Sequence, residues 1–250
     1  TLVGGTTNPP AAVAVVNAAS YNSGAMAADS IVSLFGTNLA TATQVGSTVP
    51  LPTSLAGTTV TVRDSLGTTR TASLFFVSPN QINCVIPAGT ALGTANLTVT
   101  SGDGKLSAAT IQISSVAPGL FTADGSGNGF ASGYVLRVRA NGSQVVEQIV
   151  RWDSTQGKMV GVPIDLSVTT DQVYFVAFGT GFRWRSSLTA VGATIGGTTA
   201  QVLFAGEQGG FIGVDQINLL LPNSLAGRGE VNLTLTVDGQ AANTVKLQFR

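Results

Sequence analysis

Short runs of Val, Ile, Thr, Leu and Phe recur along the whole chain, each closed off by Gly, Asn, Asp, Ser or Pro, and no amphipathic helical pattern survives beyond about two turns. A chain written this way buries its apolar residues by pairing strands, so the fold class is all-β. Strands are predicted over residues 30–35, 58–64, 71–77, 81–86, 95–100 and 109–114. A second set covers 134–140, 144–152, 164–168, 173–177, 199–204, 215–221, 231–237 and 244–249. Asn141-Gly142, set between two alternating runs, predicts a tight type I′ hairpin, because both residue types tolerate positive φ.

An internal repeat sets the domain count. Phe35-Gly36-Thr37 returns as Phe178-Gly179-Thr180, and Gly57-Thr58-Thr59 with Val62 returns as Gly197-Thr198-Thr199 with Val202. Gln81-Ile82-Asn83 ahead of Pro87 returns as Gln216-Ile217-Asn218 ahead of Pro222, and Asn96-Leu97-Thr98 returns as Asn232-Leu233-Thr234. Blocks repeated in one order predict two related β-sandwiches. The boundary is expected at Ala117-Pro118-Gly119, where a rigid Pro-Gly turn runs into the Gly-rich loop 124–129. Asn83 and Asn218, each two residues after Gln in an apolar strand, are expected to hydrogen-bond neighbouring loop backbone.

The residues that are missing exclude whole classes of chemistry. There is no histidine, which removes Ser-His-Asp and Cys-His nucleophiles and His-ligated zinc. The carboxylates are too scattered to nominate a glycosidase pair, so a non-enzyme is expected. The single Cys84 lies in an apolar run and reads as a small core residue. With 12 Lys+Arg against 12 Asp+Glu, no net field gathers nucleic acid. No apolar stretch of about 18 residues is present, so membrane insertion is not expected.

Two places in the second half hold candidate sites. Asp124, Ser126 and Asn128, with Gly129 after them, begin a calcium loop, but its twelfth position is Val135 where a bidentate Glu is needed. Apart from this half-motif no cofactor or metal is expected. Arg183, Trp184 and Arg185 form a possible ligand patch, with Arg137, Arg139, Arg151 and Trp152 upstream. Such a group stacks on a sugar ring or anchors an interface; the blander reading is an ion-paired strand face using Glu147, Asp153 and Asp165.

The charge map points elsewhere. Charged residues are 10% of the chain against about 25% in ordinary domains, and from Thr1 to Val62 the only one is Asp29. A surface without charges lacks the device that keeps sheet edges apart, which invites contact with other copies of the chain. The leader 1–12 reads as an extended arm, and Leu2, Val3, Val13 and Val15 are the residues expected to enter a neighbour's sheet by strand addition.

Several segments carry a family resemblance. They are Val16-Asn17-Ala18-Ala19-Ser20-Tyr21, residues 29–40, Ser78-Pro79-Asn80-Gln81-Ile82-Asn83, residues 117–127 and Val214-Asp215-Gln216-Ile217-Asn218. Over most of residues 13–250 the chain resembles the Solibacter-type C-terminal domain, an uncharacterised family at the ends of secreted Acidobacterial proteins. The resemblance implies an exported Ig-like or TIG-like sandwich pair and transfers no catalytic residues. Residues 134–143 and 182–185 depart from the family pattern.

The expectation is therefore an arm over 1–12 and two tandem Ig-like β-sandwich domains over 13–118 and 119–250. The expected function is that of an extracellular, non-enzymatic structural protein that assembles with its own copies into a pilus-like filament or a surface layer. A secreted adhesin or glycan-binding module is the alternative. Thr1 is expected to follow a removed export signal.

Overall fold

A computed structural model describes residues 9–250 of the chain. Strands account for its regular structure, apart from two single-turn 3₁₀ segments at Leu188–Ala190 and Asn223–Leu225. No helix among the described residues is long and apolar enough to cross a membrane. Two compact units form: one from the described residues through Val15 together with Val32–Ile113, the other from Val16–Ile31 and Ser114–Arg250. Residues 16–31, expected with the first domain, thus belong to the second unit.

The strands of the first half are β1 (Ala11–Ala12), β2 (Ala14–Asn17), β3 (Met26–Ala27), β4 (Ile31–Phe35), β5 (Gln44–Val45) and β6 (Thr59–Arg63). They continue with β7 (Thr69–Thr71), β8 (Ser73–Val77), β9 (Gln81–Val85), β10 (Gly93–Thr100) and β11 (Leu106–Ser114). The first unit is a sandwich. One sheet has the order β1-β11-β10-β6-β7 and the other β2-β4-β9-β8-β5. Alternation fills the space between them: Val60 and Val62 from β6, Leu97 and Val99 from β10, Val32 and Leu34 from β4 and Ile82 and Cys84 from β9 are all buried. Each large aliphatic side chain taken out of water contributes about 1.5–3 kcal/mol.

The residues expected to enter a neighbour's sheet have partners within this chain. Val13 and Val15 are buried in this chain's own core, and Ala11 and Ala12 pair in parallel with Ser107 and Ala108 of β11. The N–H of Val13 extends that ladder by donating to the carbonyl of Ala108. The segment thus lies within this chain's own sheets, with β1 and β2 each at the end of one of them. Leu2 and Val3 lie outside the described residues.

The second half holds β12 (Gly119–Leu120), β13 (Gly133–Val138), β14 (Gln144–Gln148), β15 (Val150–Asp153), β16 (Lys158–Gly161) and β17 (Gln172–Thr180). Then come β18 (Val191–Ile195), β19 (Thr198–Glu207), β20 (Asp215–Leu220), β21 (Gly229–Val237), β22 (Gln240–Ala241) and β23 (Val245–Phe249). The sheet order is β14-β13-β17-β20-β19-β18-β21-β22, with β12 on β17 and β23 on β21, while β15 and β16 pair apart. Strand β19 turns the corner: it pairs with β18 at residues 198–200 and with β20 from Gln201 to Glu207. Leu120, Val135, Phe175, Phe182, Leu219, Leu235 and Phe249 fill the enclosed core.

The two units share their pairing scheme, which corrects one block of the repeat. Strand β6 pairs with β10 as β18 pairs with β21, and β8 pairs with β9 as β19 pairs with β20. Both of the latter ladders slip by one residue, at Phe75 and at Leu203, just before Phe76 and Phe204. The counterpart of Gly197-Thr198-Thr199, which opens β19, is therefore Gly67-Thr68-Thr69, which opens β7, and not Gly57-Thr58-Thr59 ahead of β6. Two identical tripeptides lie ten residues apart in the first copy, and only strand partners tell them apart.

Two local expectations also change. The 140s hairpin is not a two-residue type I′ turn: Gly142 has φ +80° but Asn141 does not adopt positive φ. The N–H of Gly142 donates to the carbonyl of Arg139, and that of Arg139 to Ser143, so a type I turn closes with Gly142 as the bulge residue. Asn141 contributes through its side chain, whose Oδ1 accepts from the N–H and hydroxyl of Ser143. Residues 164–168 form no strand beyond one bridge between Ile164 and Phe249, because Asp165 folds back to accept the N–H of Ser167.

Candidate functional site

Loop packing in the second unit depends on two asparagines outside the Gln-Ile-Asn motif. Asn17 is buried; its Oδ1 accepts the N–H groups of Ala19 and Ser20, and its Nδ2 donates to the carbonyl of Ala117 at 2.9 Å. Asn243 accepts the N–H of Leu120 and donates to the carbonyls of Leu120 and Gly127. Asn83 and Asn218, expected in this role, each accept instead from the amide of their own motif's glutamine, Gln81 at 2.9 Å and Gln216 at 2.7 Å. Residues i and i+2 share one face of a strand, so the pair lies flat on the sheet, away from the core.

The Arg183, Trp184 and Arg185 patch divides into three roles. Arg183 is committed to structure: its Nε donates to Oδ1 of Asp215 at 2.7 Å, its Nη1 lies 3.2 Å from Glu207 and its Nη2 donates to the carbonyl of Val214. The other oxygen of the buried Asp215 accepts the N–H groups of Phe182 and Arg183. Burial pushes the Asp215 carboxyl upward, against the opposing pull of Arg183 and these N–H donors. Trp184 is 57% exposed, and its indole N–H donates to Asp29 at 3.0 Å, which fixes the ring while leaving it open. Arg185 sits over the outer face of β19: a Cβ placed on Gly206 would lie 3.2 Å from its Nη1 and 3.3 Å from the ring of Phe204.

That outer face is an aromatic surface that pattern reading missed. Partners in register share a side of the sheet, and Tyr134, Val176, Asn218 and Phe204 stand in one row across β13, β17, β20 and β19. Tyr174 and Leu220 form the neighbouring row with Leu136, and Phe178 and Gln216 the row beyond. The rings of Tyr134 and Phe178 are 6.1 Å apart. Alternation in each strand marks one of its two faces; which separate strands would align was not written locally.

At the sandwich's open side lies a cleft of about 710 Å³ lined by Arg137, Arg139, Arg151 and Arg250, the carboxylates of Glu147, Asp165 and Asp171, and aliphatic residues including Ile149 and Val162. Arg137, buried at its floor, donates to both oxygens of Glu147, at 2.5 and 3.2 Å, and to the carbonyl of Asp165. Arg250 pairs with Asp165 at 3.0 Å. The Ser167 hydrogen bonds, followed by Arg250, hold the Asp165 carboxyl down at about 2.

The 124–129 loop is closed by its own hydrogen bonds. Oδ1 of Asp124 accepts the N–H and hydroxyl of Ser126, whose Oγ accepts the N–H of Asn128. Val135, at the place of the calcium loop's last ligand, is buried in β13. Among the described residues no three His, Cys, Asp or Glu side chains gather to hold a metal ion. Cys84 is buried, and desolvation pushes its thiol up to about 12.

No curated protein matches the chain. Residues 14–123 match the model of the IPT/TIG domain, an Ig-like domain type often involved in adhesion or protein interaction.

Proposed function

We propose that this chain is a non-enzymatic extracellular structural protein whose first unit associates with further copies in a filament or surface layer. The observation that carries the reading is the surface of that unit. Its ionised side chains are Arg63, Asp64, Arg70, Asp103 and Lys105. Arg70 pairs with Asp64 at 2.5 Å and Lys105 with Asp103 at 2.8 Å, so opposite charges cancel locally. Val45, Val49, Leu66, Leu92 and Leu106 stand exposed on the same unit. One end of each sheet is β5 or β7, both short, and β5 carries no charged blocking residue. Resemblance to the Solibacter-type family supports export and placement at the cell surface. Leu2 and Val3 remain candidates for a donated segment. Light scattering and electron microscopy at rising concentration test the reading: assemblies are expected, and Val45→Lys on the β5 edge should disperse them. Stable monomers of the unaltered chain at high concentration would overturn it.

A second reading, a secreted adhesin that binds glycans, is favoured by the fixed, open ring of Trp184 and by Tyr134, Tyr174, Phe178 and Phe204 beside the amides of Gln216 and Asn218. Flat rings and uncharged amides suit a neutral sugar chain. Glycan-array binding lost in Trp184→Ala or Tyr174→Ala would support it.

A further inference from the structure

We propose that the free edge of β14 and the arginine-lined cleft beside it form a docking site for an extended acidic peptide. The site lies in the second unit, and the inference is independent of self-association through the first. Strand β14 ends its sheet: one edge pairs with β13, and the other meets no strand among the described residues. It is five residues long, and Val146 at its centre is 66% exposed. A peptide added there completes a backbone ladder, and its alternate side chains point to opposite faces of the sheet.

One of those faces is the cleft, which fits a drug-sized or peptide-sized ligand by volume. On it, Val145 and Glu147 stand in register with Arg137 and Val135. Its charges do not balance at the mouth. Glu147 and Asp171 are held by Arg137 at the floor, and Asp165 is held by Arg250. Among the described residues Arg139 has no ion pair, and Arg151, 60% exposed, reaches Asp153 only at 3.6 Å. Asp153 already accepts the N–H groups of Thr155 and Gln156. Two guanidinium groups with spare donors therefore face a cleft whose carboxylates are all engaged. Guanidinium favours carboxylate in planar, paired geometry, so the partner's inward side chains are Asp or Glu.

Fluorescence anisotropy with the full chain tests this, using a labelled peptide of alternating Val and Glu, its Val-Lys counterpart, and the Val-Glu peptide N-methylated at alternate residues. The Val-Glu peptide is expected to bind, with affinity falling as salt rises. Arg139→Ala and Arg151→Ala should each weaken it about tenfold, the worth of one charge-assisted hydrogen bond. N-methylation, which removes ladder donors, should abolish binding, and hydrogen exchange should slow at residues 144–148 on peptide addition. Equal binding of the Val-Lys peptide, or binding that survives N-methylation or loss of both arginines, would overturn the proposal. So would heparin fragments binding this cleft while the Val-Glu peptide does not, since that assigns the arginines to an acidic polysaccharide.

Discussion

The guanidinium of Arg137 grips both carboxylate oxygens of Glu147 across the β13–β14 pair, and the same group reaches the carbonyl of Asp165 on the opposite wall of the cleft. One buried cation thus ties the outermost strand of the sheet to the loop that faces it. Its charge is held on by the Glu147 hydrogen bond, which outweighs desolvation and raises the guanidinium's already high pKa.

Removing that cation strands two carboxylates. Arg137→Met should cost about 3 kcal/mol, because Glu147 and the nearly buried Asp171 lose their counter-charge while the apolar replacement offers no donor. Urea denaturation checks the value. A midpoint unchanged from that of the parent chain would show that the tie contributes nothing.

Asn243 is expected to matter as much as a large core residue. Asn243→Ala removes three hydrogen bonds to the backbone of Leu120 and Gly127 and leaves these groups to find other partners, a loss of about 2–4 kcal/mol. Asn218→Ala removes a bond between two side chains on a sheet face and should cost under about 1 kcal/mol. Reversal of this order in thermal melts would refute the division of roles.

Acid should weaken the fold in a narrow window. The Asp103 carboxyl is held at about 2 by Lys105 and then Ser101, and that of Asp165 at about 2 by Ser167 and then Arg250, against an ordinary value of 3.8. A depressed folded pKa stabilises the ionised protein above the ordinary value and loses that contribution as pH falls toward the folded one. The melting temperature should therefore hold steady down to about pH 4 and drop between about pH 4 and 2. Asp103→Asn with Asp165→Asn should start lower at neutral pH and show a shallower drop.

The thiol of Cys84 should be silent in the native state. With the side chain buried and its pKa pushed up to about 12, an aromatic disulfide reagent at pH 8 should react only after denaturant is added. Reaction of the folded chain at the rate of a free thiol would mean that β9 opens readily.

Sequence pattern carried much of the strand framework, since a period of two is a local property that each run of Val, Ile and Thr displays by itself. It failed where one signal had two physical readings. Asn141-Gly142 fits more than one hairpin, and the register of the flanking strands selected the type I turn with a bulge. Residues 164–168 are apolar enough for a strand, but Asp165 has a nearer partner in Ser167. The Gly-Thr-Thr blocks were paired by identity of letters, whereas their strands' neighbours pair the second with Gly67-Thr68-Thr69.

The candidate site was less legible, for a related reason. The Arg183 patch was marked by residue type, and two of its three members proved to be engaged or covered by groups distant in the chain, Asp215 and Glu207 for Arg183 and the Phe204 face for Arg185. The aromatic rows join residues more than 80 positions apart and the cleft joins residues more than 100 apart, so no short window contains them.

Alternation and turn residues by themselves determined that this chain pairs strands, and composition that it holds no histidine. Tertiary structure alone decided which edge stays open at β14, which arginines are spent and which remain, and that Val13 and Val15 belong to this chain's own core. Side-chain direction along a strand follows from the backbone at each residue, whereas the partner of a charge or an edge depends on the register of segments that meet only after the chain has folded.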